Sequence, residues 1–177
     1  MREIVGSIEA EYRRYKVLAE RAMEQVEDEK LCQMPGPGSN SIATLVWHLS
    51  GNLASRFTDF LWADGEKPWR DRDGEFVPRI VSRAELGEKW ERGWAVLFGS
   101  LAELEDERLR QVVAIRGVPL SVLEALHRSL AHTSYHVGQL VLIAKETQGG
   151  RWRYLSIPPG GSEAYNRNPV AEKPPEP

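Results

Sequence analysis

The chain has 177 residues, a net charge of −3 and a hydrophobic share of 41%, the composition of a single globular domain and not of a disordered chain. One cysteine, Cys32, excludes an internal disulfide framework. The balance of 23 basic against 26 acidic residues argues against a uniformly basic nucleic-acid binder. No apolar run is long enough for a membrane span, and the N-terminal stretch lacks the apolar segment of a signal peptide, so a cytoplasmic protein is expected.

Residues 2–30 place Val5, Ile8, Tyr12, Tyr15, Ala19, Ala22 and Val26 at steps of three and four, which predicts a first amphipathic helix. The Pro/Gly run at 35–38 breaks it. A second helix should open on a Ser or Asn cap within 39–41. Its apolar stripe is Ile42, Leu45, Val46, Leu49, Leu53, Phe57, Phe60 and Leu61, and it should end before Asp64-Gly65. In the loop at 66–78, Asp73-Gly74 reads as the turn of a short β-hairpin joining 69–72 to 75–77. Ser82 and Glu85 form a capping box ahead of a third helix carrying Leu86, Trp90, Trp94, Leu97, Leu101 and Leu104. Val112 to Ile115, before Arg116-Gly117, reads as a brief extended stretch. A second capping box, Ser121 with Glu124, opens the most apolar helix, which should stop near Thr147, ahead of Gly149-Gly150. An ordered arm follows from Arg151. The predicted fold class is all-α: a four-helix bundle with long inter-helix loops, a short β-hairpin and a C-terminal arm. Residues 1–166 form the single domain, and 167–177 a disordered Pro-rich tail.

The chemistry concentrates in the four histidines. His132 and His136 stand four residues apart, so a helix puts both imidazoles on one face, where two ring nitrogens can converge on one metal ion. Counting around that helix places the pair at the shoulder of the bundle, beside the stripe of Leu126, Val137 and Ala144. His127 falls with Glu124, Arg128 and Lys145 on the solvent side. His48 on the second helix is the candidate third ligand, and bundle geometry can set it opposite the pair. Three histidines with water completing the sphere make an open site of catalytic type. Asn52, Ser129 and Gln139 share these faces and are candidates to orient the ligands. Thr133 stands where a zincin has its general-base glutamate, which disfavours metalloproteolysis. Cys32 reads as an inert thiol, and Arg151 and Arg153 as a surface arm. No P-loop, dinucleotide fingerprint or nucleophile elbow occurs. The catalytic residues are not legible from this pattern.

The segments Ser39-Asn40-Ser41-Ile42-Ala43-Thr44-Leu45-Val46-Trp47-His48-Leu49, Asp64-Gly65-Glu66-Lys67-Pro68-Trp69, Leu130-Ala131-His132-Thr133-Ser134-Tyr135-His136 and Leu155-Ser156-Ile157-Pro158 occur in this order. In them the chain resembles the DinB-like superfamily of bacterial four-helix proteins, which includes the YfiT-type hydrolases and thiol-dependent transferases. It is most similar to a subgroup of unknown function. The resemblance covers nearly the whole chain. It implies a metal triad of His48, His132 and His136, a divalent ion with nickel or zinc foremost, and a homodimer. The expected activity is a metal-dependent S-transferase or hydrolase acting on a small-molecule substrate, with a low-molecular-weight thiol as co-substrate. The residues 66–78 and 156–162 are expected to shape the pocket. A non-catalytic metal-binding, stress-associated dimeric protein is the alternative, and no nucleic-acid or membrane partner is expected.

Overall fold

The computed structural model describes residues 1–170. Most of the predicted tail, 171–177, lies outside the described residues. Four long helices form the body: α1 (Glu3–Met23), α2 (Ile42–Phe57), α3 (Arg83–Ala102) and α4 (Val122–Gln148). A two-stranded antiparallel hairpin, β1 (Val112–Ile115) with β2 (Val118–Ser121), precedes α4, and a short α5 (Ser162–Asn166) follows it. The bundle with one hairpin is the fold class read from the sequence.

Both capping boxes form. Ser82 and Ser121 each accept the N–H of the glutamate three residues on, and each glutamate returns to the serine N–H. Helix α2 starts on Ser41, whose hydroxyl accepts from the Thr44 N–H at 3.1 Å. α1 has no cap of its own. Asp106, distant in sequence, accepts from the N–H groups of Ile4 at 3.1 Å and Val5 at 2.9 Å, closing free donors that a local reading cannot assign.

The ends of two helices and the place of one element differ from expectation. α1 ends at Met23, and Asp28–Lys30 form a separate 3₁₀ turn. α2 ends at Phe57 because Thr58 turns extended and Asp59 takes a left-handed φ of 49°. Phe60 therefore reaches the core from a loop and not from the helix stripe. The hairpin expected at 69–77 is absent. Asp71 accepts the Gly74 N–H at 2.9 Å, and Gly74–Phe76 wind into a 3₁₀ turn. The flanks of that Asp-Gly pair lack the apolar alternation that pairs strands. The hairpin forms instead around Arg116-Gly117, both at positive φ (55° and 73°), as a two-residue hairpin turn requires. Its register sets Val113 opposite Leu120 and Ala114 opposite Pro119.

The core runs the length of the bundle. α2 packs chiefly on α3 and α1 on α4. Trp90, Trp94, Tyr12 and Phe57 are its largest buried side chains, each contributing roughly 1.5–3 kcal/mol or more by leaving water. The polar tips of Tyr12 and Trp90 are paired, whereas the buried Trp94 indole N–H has no hydrogen-bond partner among the described residues. The Tyr12 hydroxyl donates to the Leu126 carbonyl at 3.2 Å, and the Trp90 indole donates to Glu20 at 3.0 Å. A Cβ on Gly93 would come within 2.6 Å of the Ser50 Cα, so glycine permits the close approach of α3 to α2. That contact leaves α2 with one face toward α4, and the site is built on that face.

Candidate metal centre

His48 projects from the middle of α2, and His132 and His136 lie one turn apart on α4. One ring nitrogen from each lies within 4.8 Å of the other two. The Nε2 atoms of His48 and His132 are 3.1 Å apart, close to the roughly 3.3 Å separating two ligands on a tetrahedral zinc with bonds of about 2.0–2.1 Å. The rings meet edge to face, with centroids 4.5–5.1 Å apart. His127 is exposed and takes no part.

The outward nitrogens of two of the rings are held. His48 Nδ1 lies 2.9 Å from Glu75 Oε2. A carboxylate only accepts, so Nδ1 carries the proton and Nε2 turns a lone pair to the centre of the cluster. His136 Nδ1 lies 2.8 Å from Gln139 Oε1, and the amide oxygen fixes the same tautomer three residues along the helix. His132 Nδ1 is buried without a hydrogen-bond partner among the described residues. Burial is the main reason the His132 pKa is pushed down to about 3, followed by the neighbouring His136 and His48. Burial also lowers that of His136, against the support of Gln139. Charge is disfavoured at these two rings, and neutral imidazole is the form that ligates metal. Three converging ring nitrogens, with carboxylate and amide groups behind two of the rings, fit a divalent ion of the borderline class.

Glu75 is the residue that the pattern of spacing missed. It sits on the 3₁₀ turn Gly74–Phe76 with a side chain only 7% exposed. Burial would raise its pKa, but hydrogen bonds from Arg70 and His48 outweigh that and hold it below the usual range. Arg70, 2% exposed, pairs with it through two bonds of 2.8 and 2.9 Å. A Cβ on Gly51, one turn past His48 on α2, would overlap the Glu75 carboxylate, so the glycine makes room for it. The aromatic ring of Phe76 covers His48 at 4.6 Å between centroids.

Beside the histidines lies a cavity of about 380 Å³. Asn52 and Ser129 line it, whereas Gln139 touches the site through His136. The loop expected at the pocket contributes Arg70, Arg72 and Phe76, and the hairpin contributes Ala114, Ile115 and Arg116. The residues 156–162 supply no lining residue, and the start of the arm is held away from the cavity, with Arg151 on Glu27 and the Arg153 N–H on Gln25. The hairpin takes the place assigned to it because β2 runs directly into α4, which carries the histidine pair. Trp47 lies under Arg79 and Lys89, outside the cavity, and Tyr135 is 63% exposed.

Fold and site together define a helical bundle with a three-histidine cluster at the foot of a cavity. The chain belongs to the family described as "Protein of unknown function (DUF1572)", whose model matches residues 1–161. None of the curated proteins compared with it matches. Among solved structures it is similar to the crystal structure of the conserved protein of locus from Enterococcus faecalis. That likeness has a TM-score of 0.66 at 18% identity and covers 84% of this chain and 98% of the other; it speaks to the fold. Among the described residues no helix is long and apolar enough to cross a membrane.

Proposed function

We propose that the protein is a divalent-metal-dependent enzyme of the DinB type, with His48, His132 and His136 as ligands and a small-molecule substrate in the adjoining cavity. The observation that carries this reading is the convergence of three ring nitrogens within 4.8 Å at the wall of an accessible cavity. Three protein ligands leave at least one position for substrate, the arrangement of catalytic sites and not of closed structural ones. The bound ion would supply Lewis acidity and lower the pKa of a water or thiol. The chain's own groups do the rest. Glu75 and Gln139 fix the ring tautomers, Arg70 holds Glu75, and Phe57, Phe60 and Phe76 exclude water from one side of the cavity. With Cys32 in contact with the Val81 backbone and remote from the histidines, a thiol in the reaction would come from a co-substrate.

Elemental analysis of untagged protein tests the site. Wild type should carry about one ion per chain, and the variant with His48, His132 and His136 all changed to alanine should carry none. Equal, sub-stoichiometric metal in both defeats the reading. Incubation of the loaded protein with an electrophile and each common bacterial thiol then tests turnover, which should require the three histidines. A purely metal-binding role is less well supported, because neither Trp47 nor Tyr135 seals the cavity.

A further inference from the structure

The cavity has a chemical character that the histidines alone do not explain. Five arginines line it: Arg56 from α2, Arg70 and Arg72 from the following loop, Arg116 from the hairpin turn and Arg128 from α4. No aspartate or glutamate does so. This concentration of positive charge stands on a chain whose net charge is −3.

The compensation is incomplete. Glu66, set back from the cavity, takes both Arg56 at 3.1 Å and Arg116 at 3.0 Å. Glu75 takes Arg70. Three guanidiniums thus share two carboxylates. Arg72 has only Asp73, at 3.5 Å and 96% exposed, and its guanidinium sits 5.2 Å over the Phe76 ring. Arg128 makes no ion pair or hydrogen bond among the described residues. The rest of the wall sets the apolar Phe57, Phe60 and Ile115 beside the histidines and the uncharged polar Asn52 and Ser129.

From this we infer that the cavity takes a small organic anion, an oxyanion group (carboxylate or phosphate) carried on a compact apolar body, with Arg72 and Arg128 as its recognition pair. The inference rests on the metal-site reading for the role of that anion as substrate. Guanidiniums bind carboxylate and phosphate in a planar, two-bond fork. Walls of one sign around a recess focus the field and attract the opposite charge. Arg72, 49% exposed, and Arg128, also exposed, have no strong counter-charge of their own, and a neutral or cationic occupant would supply none. About 380 Å³ suits a small molecule. The anion on the arginines would bring its attached group beside the histidine nitrogens on the same wall.

Isothermal titration of the full-length protein with phenyl phosphate, phenylacetate and the neutral phenylacetamide tests this, with metal content measured on every sample. The two anions should bind and the amide should not. The double variant Arg72→Gln/Arg128→Gln should weaken the anions at least about tenfold, with its melting temperature and metal content kept. Arg151→Gln, remote on the arm, should leave anion binding unchanged. The proposal is overturned if the amide binds as tightly as the anions, if neither anion binds, or if the double variant binds them like wild type. The two readings separate when the triple variant His48→Ala/His132→Ala/His136→Ala is titrated beside these proteins: anion binding that needs the arginines, with metal content that does not depend on the histidines, leaves the anion site standing and removes the metal centre.

Discussion

The Glu75 carboxylate lies 2.9 Å from His48 Nδ1 and joins the loop after α2 to the candidate ligand on α2 itself. The same oxygen also accepts from Arg70 at 2.9 Å, so one buried carboxylate orients an imidazole and neutralises a guanidinium. Removing its charge should therefore be felt twice. In Glu75→Gln, metal affinity should fall about 10–100-fold, the usual effect of losing a group behind a ligand. Arg70 is left buried without its counter-charge, which should cost about 3–5 kcal/mol of stability. Competition against a chromogenic chelator reads the first effect and urea denaturation the second. Wild-type metal affinity in this variant would show that Glu75 does not position His48.

Two glycines on the bundle should separate site from scaffold. A Cβ at Gly51 meets the Glu75 carboxylate, so Gly51→Ala should displace that side chain and reproduce part of the affinity loss. A Cβ at Gly93 meets the Ser50 backbone 2.6 Å away, where nothing flexible can yield. Gly93→Ala should cost about 1–3 kcal/mol by forcing α3 from α2, with a smaller change in metal affinity because α3 carries none of the histidines. The chelator and urea measurements together give the contrast. Equal losses of affinity in both variants would contradict it.

The bundle was legible in the sequence wherever periodicity and local chemistry agree. The two capping boxes, the helical stripes and the placing of His132 and His136 on one face all follow from spacing along a single element. His48 could be nominated because α2 has a face next to its apolar stripe. What spacing does not carry is contact between distant segments. Glu75 lies 27 positions from His48, on a turn whose Asp-Gly pair suggests a hairpin, and its role exists only once the loop folds onto α2. Asp106 capping α1 is hidden for the same reason. The arginines of the cavity come from four separate segments, and each read alone is an ordinary surface cation.

Ser121 closes β2 and caps α4, so it joins the hairpin wall of the cavity to the helix bearing two of the three histidines. Its hydroxyl accepts the Glu124 N–H at 3.2 Å. Ser121→Ala should destabilise the protein by about 1 kcal/mol, within the range of roughly 0.5–2 for such caps. Ser121→Thr, which keeps a hydroxyl to accept from the Glu124 N–H and to donate to the Glu124 carboxylate, should recover most of this. Thermal denaturation of the three proteins decides it, and an alanine variant as stable as wild type would show that the cap is dispensable.

Asp64 ties the loop after α2 to the hairpin. Its carboxylate accepts from the N–H of Glu66 at 2.7 Å, of Gly117 at 2.7 Å and of Arg116 at 2.8 Å. The Glu66 N–H is the largest of the influences that hold its pKa below the ordinary value, with Gly117 next. A carboxylate with a depressed folded-state pKa contributes stability that is present above the unfolded value, about 3.9. That contribution is lost as pH falls through the lower folded value, because the unfolded chain takes up its proton first. Asp64→Asn keeps the shape and removes the charge. The variant should melt below wild type at pH 7, and the gap should narrow as pH drops below about 4. A gap unchanged between pH 7 and the acid limit of folding would mean that the shape of Asp64, and not its charge, anchors Arg116 at the mouth of the cavity.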